Sequence, residues 1–265
     1  MAKTEKILYS LTKIDKGRRT VVPTVVMLIL TILYLVAVLS VPLHMPQKLI
    51  WLTAYPIFLS ELCGIGYLKI FVRSLWILPI LIFIGIFNPF IDTAPAFTIG
   101  NVTVNRGWVS LFSILLRGII AFQSVLILVS TSGIIETFNS LRKIGCPAVL
   151  VTQLQLTYRY IAVIIEESLT IKRACAARGF GKRSYPLKLW SRLIGQLLVK
   201  STHRATKIHL AMLARGFNGV LPTGNAVYWT STSWLWLFGG IVFIAILRFT
   251  DFTSLLLHLT GNFNR

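Results

Sequence analysis

The sequence predicts an all-α, polytopic membrane protein with about five transmembrane helices and a cytoplasmic domain of long amphipathic helices. Three observations carry that expectation. Hydrophobic residues make up 55% of the 265, only 13% are charged, and the mean hydropathy is +0.75, far too apolar for an ordinary soluble domain. The apolar residues fall into blocks of bilayer-crossing length. The 27 Lys and Arg, against 8 Asp and Glu, collect outside those blocks. Three regions follow: 1–132 with an N-terminal segment and four spans, 133–229 with the amphipathic helices, and 230–265 with the last span and a tail.

Residues 1–19 carry Lys3, Lys6, Lys13, Lys16, Arg18 and Arg19 against Glu5 and Asp15, and read as a cytoplasmic segment. The apolar run behind them has no small-residue cleavage site, so a retained first span is expected over Val21–Val41. The short link from Pro42 to Pro46 returns the chain into a second span, about Leu49 to Gly66, interrupted by Pro56 and Glu61. An ionisable group at that depth is rarely lipid-facing. Packing against neighbouring spans is the ordinary reading of Glu61, and contact with a moving partner subunit the sharper one.

Lys69 and Arg73 mark a return to the cytoplasm, and Ser74–Phe90 is the third span. Residues 91–106, with Asp92, Pro95, Gly100 and Asn101, read as an outer loop rich in turn residues. The fourth span, Trp108–Ser130, contains Arg117, whose exposure to lipid would cost roughly 2.5 to 3.5 kcal/mol on insertion scales. It is therefore expected to face the bundle interior or snorkel, in structural pairing before any transport role.

After Ser132 basic and polar residues recur every three or four positions, and no uninterrupted span is expected until Trp234–Phe249. A short helix from Ile135 to Ile144 stops at Gly145 and Pro147. The next, Val149–Arg178, sets Leu154, Tyr158, Ile161, Ile165 and Leu169 on one face and Arg159, Glu166 and Arg173 on the other. A third, Leu187–Arg215, sets Trp190, Ile194, Leu197, Ala205, Ile208 and Met212 opposite Arg192, Gln196, Lys200, Arg204 and Lys207. With the N-terminus inside, the basic residues left on the outer side are Lys48, Arg106, Arg248 and Arg265, as the positive-inside bias requires.

The two long amphipathic helices end in the same four residues. Ala177, Arg178, Gly179 and Phe180 close the first, and Ala214, Arg215, Gly216 and Phe217 close the second. Glycine just past a last turn is an ordinary helix stop, and an arginine there complements the helix dipole. Two identical endings on polar-faced helices point further, to a pair of equivalent contacts with a partner.

Chemistry of other kinds is missing from the pattern. The nearest approach to a Walker A loop, Gly181 and Lys182, is followed by Arg183, and Ala176 stands where the first glycine belongs, so the chain is not expected to hydrolyse ATP. His44, His203, His209 and His258 are scattered, and His44 with Met45 supplies too few ligands for a metal site. Cys63, Cys146 and Cys175 form neither a zinc knuckle nor a disulfide framework. No catalytic residues, resident cofactor or metal ligands are expected.

The strings around those helix ends resemble the transmembrane T component of energy-coupling factor transporters, a class of ABC importers, most closely its cobalt-type CbiQ members. Thr157, Tyr158, Arg159, Tyr160 and Ile161, then Glu166 and Glu167, then Ala176 to Phe180 look like the first coupling helix. His203, Arg204 and Ala205, leading to Ala211 through Gly219, look like the second. The resemblance implies a non-catalytic coupling subunit of the prokaryotic cell membrane. Its partners would be two ATP-binding cassette subunits, which bind the ATP, and a small membrane protein that holds the substrate.

Carried over, Arg178 and Arg215 anchor in grooves of the two ATPases, while Ala177, Gly179, Ala214 and Gly216 allow close approach. The implied cargo is cobalt, with nickel or a vitamin as alternatives. Two readings from other classes compete: a self-contained secondary carrier or membrane enzyme, and a platform for anionic lipid or nucleic acid. The interleaved apolar faces and the lack of a basic-aromatic motif speak against nucleic acid.

Overall fold

Proline sets the first boundary of the fold. In the computed structural model, which describes residues 22–42, 46–92, 95–99, 102–178, 187–221 and 231–249, helix α1 (Thr24–Leu39) starts directly behind Pro23, whose ring holds φ at −59°. The remaining elements follow in order: α2 (Pro46–Leu52), α3 (Ala54–Leu62), α4 (Tyr67–Ser74), a 3₁₀ turn (Leu75–Ile77), α5 (Leu78–Gly85), α6 (Asn88–Ile91), β1 (Pro95–Ile99), β2 (Val102–Asn105), α7 (Arg106–Ser132), α8 (Ile134–Lys143), α9 (Ala148–Arg178), α10 (Leu187–Leu213) and α11 (Ser231–Phe249). The expected cytoplasmic segment 1–19, His44 and Met45, Gly179 and Phe180, and the tail 250–265 lie outside the described residues.

Four helical segments are long and apolar enough to cross a bilayer: Tyr67–Phe90, Arg106–Ser132, Ala148–Arg178 and Ser231–Arg248. Three of them contain expected spans. The segment from Tyr67 begins seven residues early, so Lys69 and Arg73 lie on α4 instead of beyond the helix. The first expected span is shorter than anticipated, because α1 has 16 residues, about 24 Å at 1.5 Å per residue. The fourth long segment lies where no span was expected, between Ser132 and Trp234, and qualifies by length and composition, with Arg159 inside it. Its first half, Val149 to Ile165, is apolar nearly all round, interrupted mainly by Gln153, Gln155 and Arg159.

The second expected span is broken, and the cause is Pro56. In a continuous helix the N–H of residue 56 would bond the carbonyl of Leu52, and proline has no N–H to give. The chain breaks at Thr53, whose N–H turns back to the Ile50 carbonyl at 3.1 Å. The Leu52 carbonyl is taken instead by the Tyr34 hydroxyl of α1 at 2.7 Å. Tyr34 is fully buried and stacks on Tyr55 of α3, with ring centroids 4.2 Å apart. The pair α2–α3 then stops at Gly64, which adopts φ +62°.

The described residues form two compact units, 22–140 with 231–249, and 141–221. In the first, α7 is the central element. Its buried residues Ile120, Gln123, Ser124, Ile127, Leu128 and Thr131 recur at helical spacing and define one packed face. Lipid tails are as apolar as leucine, so close packing and internal hydrogen bonds hold such a bundle together more than water exclusion does. Gln123 illustrates this: its amide donates to Ser74 Oγ and its carbonyl accepts from the Tyr67 hydroxyl, both at 3.3 Å.

Gly107 lets the start of α7 touch α6. A Cβ there would lie 2.5 Å from the Asn88 carbonyl oxygen and from Pro89 Cα. Between α6 and α7 the expected outer loop contains a short antiparallel hairpin, β1 with β2, paired from Pro95–Asn105 to Ile99–Val102. It is the one departure from a helical fold among the described residues.

The second unit is built on α9 and α10, the two long helices, with the irregular segment 217–221 bonded back to α8 and α9. The Leu221 N–H donates to Thr152 Oγ1 at 3.3 Å, and the Leu221 carbonyl accepts from Arg142 Nη1 at 3.4 Å.

Candidate functional site

The second Ala-Arg-Gly-Phe ending is a complete helix stop. The Phe217 N–H reaches the Met212 carbonyl at 3.0 Å, the Gly216 N–H reaches the Leu213 carbonyl at 2.9 Å, and Gly216 sits at φ +80°. This double closure requires a left-handed residue just past the helix, where any side chain other than glycine is strained. Arg215 occupies the cap position. With the chain folded back behind it, its side chain projects from the helix end and is exposed, as is Ala214.

At the first ending, Ala177 and Arg178 are the last two residues of α9, and both are exposed. Gly179 lies outside the described residues. Neither Arg178 nor Arg215 is buried in the chain's own packing.

The face that α9 turns toward α10 differs from the one expected. A groove of about 600 Å³ between the two helices is lined on α9 by Leu156, Tyr160, Val163 and Glu167, not by the stripe Leu154, Tyr158, Ile161, Ile165 and Leu169. The helix is apolar on more than one side, so periodicity alone selected one of two candidate stripes. On α10 four of the six expected residues, Leu197, Ala205, Ile208 and Met212, line the groove, while Trp190 and Ile194 are exposed.

Lys200 and Arg204, expected on the opposite face, instead edge that groove and converge on Glu167. Lys200 Nζ is 2.9 Å from Oε1 and Arg204 Nη2 is 3.1 Å from Oε2. One carboxylate thus ties α9 to α10 through two cations one turn apart. Sequence reasoning missed this pairing. The available signal was scarcity, since Glu166 and Glu167 are the only acids between Leu141 and Leu221.

Beyond the groove, around the end of α10, lies a larger concavity of about 980 Å³. Arg142, Arg159 and Arg215 line it together with Leu156, Met212 and Phe217, and among the described residues no carboxylate lines it.

The structure does not bring Glu61 and Arg117 together with each other. Glu61 is exposed in the last turn of α3. Arg117 is half-buried on α7, its Nη2 donating to the Val41 carbonyl while Nε is buried without a hydrogen-bond partner. Arg248 of α11 reaches the neighbouring residue, donating to the Ser40 carbonyl at 3.3 Å and to Ser40 Oγ at 3.2 Å. Two guanidinium groups therefore serve the carbonyls at the negative end of α1, which explains an arginine within a span without any transport chemistry. Among the described residues no cluster of three or more His, Cys, Asp or Glu is placed to hold a metal ion.

Several apolar helices of bilayer length, joined in sequence to a helical pair with cationic ends, define a multi-pass membrane protein. Residues 16–225 match the family described as CbiQ, cobalt transport protein. That match covers most of the 265 residues, and the chain belongs to this membrane transport family. It is also similar to an uncharacterized protein of Methanocaldococcus jannaschii, 30% identical over 154 residues, or 58% of this chain and 53% of the relative. A second relative is the nickel permease LarQ of Lactiplantibacillus plantarum, 32% identical over 96 residues, or 36% of this chain and 35% of the permease. The chain thus spans about half the length of the first relative and about a third of the second.

Proposed function

We propose that this chain is the non-catalytic coupling subunit, the T component, of an energy-coupling factor importer that takes up cobalt. The observation that carries the reading is the pair of exposed arginines, Arg178 and Arg215, at the ends of two long helices that a single carboxylate ties together. A planar guanidinium on a helix tip, flanked by alanine and glycine, can enter a narrow groove and make several charge-assisted hydrogen bonds there. Two ATP-binding cassette subunits would each hold one tip. Closing on ATP, they would shift the tips relative to each other, and the helices would pass that movement to a small membrane subunit holding the cargo.

Family membership supports cobalt as the cargo class. Nickel is the second reading, supported by the similarity to a nickel permease. The test replaces both arginines with alanine in cells carrying the whole transporter and measures uptake of radiolabelled cobalt, with nickel as competitor. Uptake is expected to disappear while the chain remains in the membrane fraction; normal uptake by the double variant rejects the coupling role. Stronger competition by nickel than by unlabelled cobalt would favour the second cargo.

A further inference from the structure

The concavity at the end of α10 joins three arginines that are distant in sequence. Arg142 lies in the last turn of α8, Arg159 near the middle of α9, and Arg215 at the cap of α10. Arg159 belongs to the string Thr157 to Ile161, yet the coupling reading gives it no task. Three guanidinium groups around one cavity repel one another, and among the described residues no lining carboxylate offsets them. Arg142 is held in place by its bond to the Leu221 carbonyl, while Arg159 and Arg215 are exposed. At about 980 Å³ the space exceeds what one small anion would fill, and its apolar floor of Leu156, Met212 and Phe217 matches a protein surface better than water.

We propose that Arg142 and Arg159 complete Arg215 as a docking cup for a carboxylate-bearing surface of the ATPase subunit that receives this helix end. The inference rests on the coupling reading and extends it. The contact at this end is a broad cationic surface, recognised by charge complementarity, with the Ala-Arg-Gly tip at its edge. Arg142 and Arg159 act before and during docking, drawing in an acidic partner and fixing its register; they are positioning residues for the coupling event. Because planar forks pair with carboxylates two bonds at a time, lysine is a poor substitute at either position.

The experiment uses the full chain in nanodiscs of zwitterionic lipid with purified ATPase subunits, and measures their affinity for wild type, R159Q, the pair R142Q with R159Q, and R215A from about 50 to about 300 mM salt, across which exposed charges become progressively more screened. The R159Q variant is the decisive one, because Arg142 also supports the segment ending at Leu221. Its expected affinity at low salt is about tenfold weaker, with a flatter salt dependence, and the paired variant is weaker still. Wild-type affinity of R159Q at every salt concentration, with R215A impaired, overturns the cup and leaves the coupling role standing. Failure of the wild type to bind any ATPase subunit overturns the coupling role itself. If the substitutions change only the capture of anionic vesicles and not of ATPase subunits, the cup serves lipid phosphates and the proposal is rejected.

Discussion

Replacing Tyr34 with phenylalanine tests the explanation for the broken second span. The substitution keeps the ring stacked on Tyr55 and removes only the hydroxyl that serves the Leu52 carbonyl at 2.7 Å. Leaving a buried acceptor unmet costs about 1 to 3 kcal/mol in soluble proteins, whereas side-chain hydrogen bonds inside membranes average only about 0.6. The Leu52 carbonyl should fall between these limits, at about 1 to 2 kcal/mol, because the nearest backbone substitute would be the N–H that Pro56 lacks. A double-mutant cycle with Pro56→Ala separates this cause from general loss of packing. Alanine restores an N–H at position 56, so Tyr34→Phe should cost about 0.5 kcal/mol or less in that background. Reversible unfolding of the purified chain in mixed micelles, followed by circular dichroism, gives both values. Equal costs in the two backgrounds would show that proline is not the reason the hydroxyl is needed.

Two other predictions concern packing and the tie between the long helices. Gly107→Ala should lower the unfolding midpoint more than Gly118→Ala, since the new methyl meets backbone of Asn88 and Pro89 in one case and the movable end of Leu81 in the other. A cost of about 1 to 3 kcal/mol is expected at 107, and an equal loss at both sites would contradict the assignment. Glu167→Lys should broaden the distance distribution between spin labels placed on α9 and α10, and adding Lys200→Glu with Arg204→Glu should narrow it again. An unchanged distribution in the single variant means that the carboxylate does not set the separation.

The sequence made the long elements legible and left their pairing obscure. The runs behind α7 and α11 are long and mostly apolar despite Arg117 and Arg248, so length located them to within two or three residues. Pro56 was visible as an irregularity, but the hydroxyl that resolves it lies 18 residues away on another helix, and no local pattern announces that contact. The hairpin β1–β2 did carry a signal, with Gly100 and Asn101 between two stretches rich in β-branched residues, and it was outweighed by the turn residues around it. Both helix ends could be read because a repeated tetrapeptide needs no tertiary information. Glu167, Arg142 and Arg159 could not be assigned a place, since each acquires its neighbours only when separate helices meet in a particular register.

The pair of guanidinium groups at the end of α1 has a mechanical consequence. Arg117 and Arg248 grip adjacent residues, Val41 and Ser40, from two different helices. Gly240 lets α11 settle against Leu30 of α1. Helices α1, α7 and α11 therefore share one mooring, so losing either guanidinium leaves a carbonyl at the end of α1 without its donor and loosens all three helices together.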